Sequence, residues 1–487
     1  MGWQRERGAV RIDVESVWDA IPKVPLRFLG WGLVSVWSNV MYLYPSVALP
    51  GLPDDARVGF DLVLVLTMVL MAVAARFRRG FAPLAARRWA TPAALLLLLI
   101  STQIDFLAVW FHIPSSALMW LSLLLGGVGT ACMMLLTSEF FGFIHPKRAI
   151  LYMASGWLAG AVLTVFLRAL PLPHLWACMT ALPIVVALCS WRSCKSLSAS
   201  ERSFMASRRF SFPWLPLVPI ALCAIVKRCL SALVFLEVST ETVNDLGMMA
   251  AAVVVLAGLM RYGGDLNMRS LWKLGVGLMS LSLAPFAMAV FGGQAIAGFI
   301  AASLSSAAYY LLFLLMTAIF ANISYRWGVC ALWLFSIEHA SHLAVGTGAT
   351  AGMEQLITVA KVPLAFLDVA FVPVALASMV VVSQLFRRFS PDSLWGLAID
   401  DDTSFSESER LRRLCEELIH EHGLTRREGE ILFMSMQGKR PATIAEELFI
   451  EVSTTRTHIK HIYTKLGIHS RKELLDMVGG APAGVDS

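Results

Sequence analysis

The chain has 487 residues, 57% of them hydrophobic and 15% charged, and a net charge of +6. A soluble domain carries about 25% charged residues, so the apolar excess excludes a single soluble core and points to many segments whose solvent is lipid. The eight cysteines (Cys132, Cys178, Cys189, Cys194, Cys223, Cys229, Cys330 and Cys415) have no C-x-x-C spacing and mostly fall in apolar runs, so they read as small buried hydrophobes and not as a zinc or disulfide framework.

Residues 1–23 read as a cytoplasmic N-terminal segment. They contain no short apolar stretch followed by a small-residue cleavage site, so the first apolar run is expected to stay as a membrane helix. Glu6 stands where N-myristoylation needs Ser or Thr. From Val24 onward about twelve runs are long enough to cross a bilayer: 24–44, 58–75, 92–111, 117–138, 149–170, 174–191, 214–237, 244–260, 271–291, 295–320, 328–346 and 362–386. With the N-terminus placed inside, the segments on that side hold twenty-three Lys and Arg; the outer loops hold three, Arg57, Arg168 and Lys361. This bias predicts a multi-pass protein of the cytoplasmic membrane with both ends in the cytoplasm.

A basic, Ser-rich loop at 192–213 divides the runs six and six. Two six-helix halves joined by a cytoplasmic loop, within a membrane domain over 24–388, resemble the major facilitator layout over about 24–386. The resemblance rests on helix count. The Gly-Asp-Arg signature of that family is absent from Arg76–Trp89, with only an echo in Gly263-Gly264-Asp265 and Arg269.

Composition changes after Arg388. Residues 389–406, with Pro391 and Asp400-Asp401-Asp402, read as a linker, whose r.m.s. reach is about 25 Å. Residues 407–487 read as a small cytoplasmic all-α domain. A helix over 407–422 places Leu411, Leu414, Leu418 and Ile419 on one face. Thr425-Arg-Arg-Glu428 is a capping box opening a second helix that Gly438 ends. Pro441 starts a short helix to Leu448, a tight turn follows, and a third helix spans 453–466. Ser470-Arg-Lys-Glu473 is a second capping box, opening a last short helix. On the third helix Thr455, Ile459, Ile462 and Leu466 share one side. Ser453, Arg456, Thr457, Lys460, His461 and Thr464 share the other, which has no acidic residue. Such a helix, after a short helix and a tight turn, is a helix-turn-helix with donors suited to bases and phosphates.

The stretch Leu424-Thr-Arg-Arg-Glu428, Gly438, Ile444-Ala445, Leu448, Thr454-Thr-Arg456-Thr-His458, Ile462-Tyr463-Thr-Lys465-Leu466-Gly467 and Ser470-Arg471 resembles the LuxR/NarL/FixJ-type DNA-binding domain over about 60 residues. The resemblance implies a four-helix domain that puts its third helix in the major groove and can dimerise through its fourth. Arg456, Thr457 and Lys460 are then the base readers, His461 and Thr464 lie on the same face, and Lys465, Ser470 and Arg471 are backbone contacts. Glu451 and Thr455 depart from the family pattern, which favours Ser at the cap and an inward Val.

Lys227 and Arg228 lie mid-way along a membrane run, with Asp105, Glu139, Glu338, His339, His342 and Asp368 as further intramembrane ionisable groups. Two readings stand: a polar cavity in which Lys227 or Arg228 binds an anionic ligand, and internal ion pairing with Asp105, Asp368 or Glu338. Glu338 and His342 share a helix face, but two ligands on one turn do not complete a metal site. No metal or cofactor is expected. No P-loop, nucleophile elbow, H-E-x-x-H or receiver domain is present, and no enzyme activity is expected. The sequence as a whole predicts a one-component regulator that senses a small molecule or membrane state and acts on double-stranded promoter DNA. The alternative is a transporter carrying a DNA-binding regulatory domain.

Overall fold

The computed structural model describes residues 25–43, 56–195, 214–388 and 415–474, apart from short stretches within them. The N-terminal segment 1–23 and the linker 389–406 lie outside the described residues, as do Gly438 and all of the central loop beyond Lys195.

Each expected apolar run coincides with helix. The first is composite: a 3-10 turn Leu26–Leu29 leads into α1 (Gly30–Ser38), which a π turn Asn39–Leu43 prolongs. Then come α2 (Ala56–Phe77), α3 (Ala90–Trp110), α4 (Ser116–Phe141), α5 (Pro146–Arg168) and α6 (Leu172–Lys195). The second half holds α7 (Leu217–Val234), α8 (Thr240–Tyr262), α9 (Met268–Leu281), α10 (Leu283–Gly292), α11 (Ala295–Trp327), α12 (Ala331–Thr358) and α13 (Leu364–Arg388). Among the described residues ten helical stretches are long and apolar enough to cross a membrane. The first run misses because it changes helix type twice, and α12 misses because Glu338, His339, His342 and Glu354 interrupt its apolar character.

Two boundaries differ from the sequence expectation for identifiable reasons. The run 271–291 is two helices because Pro285 cannot donate to the ladder and its ring crowds the carbonyl four residues back; the break falls at Ser282, whose Oγ donates to the Met279 carbonyl at 2.6 Å. The run beginning at 328 continues well past 346, because Gly346, Gly348 and Gly352 do not end a helix in a membrane, where leaving the helix would expose backbone polar groups to lipid.

Helices α1–α6 and α7–α13 form two halves. They meet where α2 runs along α12 and α5 runs along α8 and α11. Within the first half α1 and α5 touch backbone to backbone: a Cβ added at Gly32 would sit 1.9 Å from the Gly156 carbonyl oxygen. The centre is filled by rings. Trp31 stacks on Trp157 at 5.1 Å, and Trp157 stacks on Phe313 of α11 at 5.5 Å. In the second half α13 packs against α7.

The C-terminal domain has its own core, including Leu418, Ile431, Leu432, Ile444, Leu448, Ile462, Leu466 and Leu474. Its helices are α14 (Arg426–Met436), α15 (Pro441–Leu448) and α16 (Val452–Leu466). Of the expected first helix Cys415, Leu418, Ile419 and Glu421 are described as helical and His422 as a turn; of the last, Glu473 and Leu474 are described. The first capping box forms in full, and in the second Glu473 reaches back one residue further, to His469. Thr425 N–H donates to Glu428 at 2.7 Å while Glu428 N–H donates to Thr425 Oγ1 at 3.4 Å. Glu473 N–H donates to Ser470 Oγ at 3.2 Å, and Glu473 accepts from the His469 amide at 2.8 Å. Gly467 ends α16 with φ +69°, a left-handed conformation that suits glycine.

Candidate nucleic-acid interface and intramembrane polar cluster

On α16 the 3.6-residue period turns Thr455, Ile462 and Leu466 into the core and leaves Arg456, Thr457, Lys460, His461 and Thr464 exposed together. Thr457 and Thr464 donate their hydroxyl protons to the carbonyls of Ser453 and Lys460, at 3.1 and 2.9 Å. What they present outward is therefore a methyl group and acceptor lone pairs, while Arg456 and Lys460 supply the donors. Glu451 occupies the N-cap position with extended backbone but makes no side-chain cap bond; its carboxylate instead accepts from Ser453 Oγ at 3.0 Å.

Lys465 is placed differently from the other residues of that set. Its ammonium donates to Glu428 at 2.7 Å and to the Gly423 carbonyl at 3.3 Å, so it clamps the end of α16 onto the start of α14. Burial of Glu428 opposes ionisation, but the Lys465 and Thr425 hydrogen bonds outweigh it and hold the carboxyl down at about 2. Ser470 Oγ donates to Glu473 at 2.7 Å and is spent on the cap. The carboxyl of Glu473 is likewise held below its usual range by the His469 amide and the Ser470 hydroxyl. Arg471 lies outside the described residues. Sequence reading missed Arg427, which donates to the Leu448 carbonyl at 3.0 Å and to Glu430 at 2.8 Å, and so fixes α15 on α14. No periodicity marks it, because its role depends on where α15 ends in space.

In the membrane domain the six candidate residues do not form one cluster. Asp105 accepts from Tyr42 Oη at 2.6 Å, within a knot that also contains Ser101 and Ser122. Glu338 accepts from Thr317 at 3.1 Å and touches the His339 ring. The His342 ring lies tilted against that of Phe313, with centroids 4.3 Å apart. Asp368 is half-buried on α13, and its Oδ1 has no hydrogen-bond partner in the structure. The ion pairs expected between Lys227 and Asp105, Glu338 or Asp368 do not form. Lys227 is 3% exposed and donates to Asn244 Oδ1 at 2.6 Å, beneath the rings of Tyr309 and Tyr310 at 5.0 and 4.9 Å. Arg228 lies against Gly346, with Nε 3.3 Å from where a Cβ would be, and acts electrostatically on Asp61.

Two of the three cations assigned to outer loops turn inward instead. Arg168, at the end of α5, pairs with buried Asp245 of α8 across the two halves at 2.5 Å. Arg57, in the first turn of α2, acts on Asp61 and Lys227. Asp61 itself accepts from Thr347 of α12 at 2.8 Å, a second bond between the halves. Asp61, Asn244, Asp245, Tyr309 and Tyr310 were all missed: each sits in an apolar run, and only the packing of separate helices brings them together. Glu139, legible in the sequence only as an intramembrane acid, accepts the Leu84 and Ala85 amides at 3.0 and 2.8 Å and pins the α2–α3 connection.

The site and the fold together define a DNA-binding regulatory domain joined to a membrane domain of transporter type. Residues 422–478 match the family described as bacterial regulatory proteins, luxR family, and form a LuxR-type helix-turn-helix. This chain is similar to the transcriptional regulatory protein LiaR of Bacillus subtilis (strain 168), 42% identical over 64 residues, which is 13% of this chain and 30% of that one. It is also similar to the oxygen regulatory protein NreC of Staphylococcus aureus (strain JH9), 45% identical over 53 residues, 11% of this chain and 24% of that one. The chain thus spans less than a third of these relatives, all of it in the DNA-binding domain.

The rest of the chain has the major facilitator fold. It superposes on the proton:xylose symporter XylE with a TM-score of 0.54 and 12% identity, covering 78% of this chain and 99% of that one. A bacterial homologue of the iron transporter ferroportin in the outward-facing state, with soaked iron, gives 0.52 and 14%, covering 78% and 99%.

Proposed function

We propose that this protein is a one-component transcription regulator of the cytoplasmic membrane, in which a facilitator-type domain senses a small molecule and biases sequence-specific DNA binding by the C-terminal domain. The observation that carries the reading is the acid-free face of α16, with Arg456, Thr457, Lys460, His461 and Thr464 exposed together, on a chain that also crosses the membrane many times. Arg456 and Lys460 read bases or phosphates, the threonines and His461 complete the face, and Ser470 and Arg471 contact the backbone of the duplex. Lys465 contributes by fixing the angle of α16. Both termini lie in the cytoplasm, as the distribution of Lys and Arg requires. Two copies pair through their C-terminal domains, so the target carries two half-sites about one DNA turn apart.

The test is genome-wide DNA enrichment by fragment 405–487 and by the full-length protein in membranes, each beside an Arg456→Ala/Lys460→Ala double variant. A motif of two half-sites, lost in the double variant, is the expected result. A folded native fragment and a full-length protein that both fail to select any sequence would end the reading.

The fold supports a second reading, a transporter that also regulates. It predicts saturable flux in proteoliposomes that falls when Lys227 or Arg228 is neutralised. Ligand-dependent transcription without flux favours the sensor.

A further inference from the structure

We infer that the Lys227 cluster is a binding site for the carboxylate of a small organic acid, an inference that rests on the sensor role proposed above. Lys227 is 3% exposed near the middle of α7. Its Nζ is bonded to one neutral acceptor, Asn244 Oδ1, at 2.6 Å and lies beneath two ring faces. Among the described residues no carboxylate lies within ion-pair distance of it. The intramembrane acids have partners of their own: Asp245, beside Asn244, pairs with Arg168, Asp61 accepts from Thr347, Asp105 from Tyr42, and Glu338 from Thr317 while touching His339. Arg228 and Arg57 act on Lys227 with the same sign, and both also act on Asp61.

A buried ammonium held by an amide dipole and two ring quadrupoles, and repelled by two guanidinium groups, lacks the anion that would offset its desolvation. A carboxylate supplies that anion. One oxygen takes the place of Asn244 Oδ1 on Nζ. The Asn244 amide, turned over, donates to the other oxygen. Tyr309 and Tyr310 wall the body of the acid. Entry requires the halves to part, because Trp157 of the first half packs edge-on against Tyr310 at 5.5 Å.

The test uses the full-length protein in lipid nanodiscs and follows thermal unfolding. The probes are a set of linear, branched and aryl monocarboxylates, each beside its own primary amide. At least one acid is expected to raise Tm by on the order of 2–4 °C at saturation, with its amide weaker by about tenfold or more. Lys227→Met is expected to remove the shift while unfolding at no lower temperature than the native protein, since an apolar chain of similar length replaces a buried charge.

The inference is overturned if no acid in the set shifts Tm, if acid and amide shift it equally, or if the shift survives in Lys227→Met. It is also overturned if Lys227→Met does not fold, which would make the lysine structural. The read-out contains no DNA, so the failures separate. Acid binding that leaves promoter occupancy unchanged would sink the sensor reading and leave the site standing.

Discussion

Glu428 closes the capping box of α14 and also receives Lys465 from the end of α16, so one carboxylate serves a helix end and a tertiary clamp. Its folded-state pKa is about 2, below the unfolded value of about 4.3. A depressed carboxyl contributes stability that is present above the unfolded pKa and is lost as pH falls through the folded one. Urea unfolding of fragment 405–487 should therefore show stability falling by about 1–2 kcal/mol between pH 5 and pH 2, discounted because Lys465 is partly solvated. Glu428→Gln should flatten that slope. A variant retaining the full slope would mean other acids carry it. Thr455 gives a second test. Its Oγ1 donates to the Glu451 carbonyl at 3.2 Å, but that oxygen already accepts the Thr455 amide at 3.0 Å. The hydroxyl is redundant, so Thr455→Val should be neutral or stabilising by about 0.5 kcal/mol in the same assay, against a cost of about 1 kcal/mol if the bond matters. At the DNA face, Arg456→Ala should lose about 1–3 kcal/mol of discrimination between bases, measured by fluorescence anisotropy on matched and mismatched duplexes.

At the scale of elements, helix-turn-helix order was legible because its signals are local. Thr425 and Glu428 are three residues apart, Pro441 sits at a helix start and Gly467 just past a helix end. The membrane runs were legible for the same reason, and so was Lys227 as an oddity. Its partners were not, because Asn244 lies on α8 and the two tyrosines on α11, far apart in sequence. The bond of Lys465 to Glu428 was not legible either, because an exposed lysine near a DNA-reading helix reads as a phosphate contact and its partner lies on α14. The core of the C-terminal domain depends on a few side chains from each helix. Ile462, 1% exposed, is the inward anchor of α16. Ile462→Ala should cost about 2–5 kcal/mol, enough to abolish cooperative unfolding in a domain of this size. A cooperative transition shifted by under 1 kcal/mol would mean that α16 is not held by this core.

Across the whole molecule, the seam between the halves is closed by the Arg168–Asp245 pair, by the Asp61–Thr347 bond and by the Trp31–Trp157–Phe313 stack. Removing one member of a buried pair costs about 3–5 kcal/mol because the other charge is stranded. Arg168→Ala and Asp245→Ala should each lower the thermal stability of the full-length protein, and the exchanged pair Arg168→Asp/Asp245→Arg should recover part of the loss. No recovery in the exchange would mean that the two positions act separately.

The packing of α13 against α7 has a consequence for wiring. The chain departs for its C-terminal domain from Arg388, at the end of α13. Besides α9 and α10, α13 leans on α7, the helix that bears Lys227. On the proposed reading, the acid site and the departure point of the chain therefore occupy neighbouring positions in one half. In the opposite half the closest approach is that of α1 and α5, which touch backbone to backbone at Gly32 and Gly156.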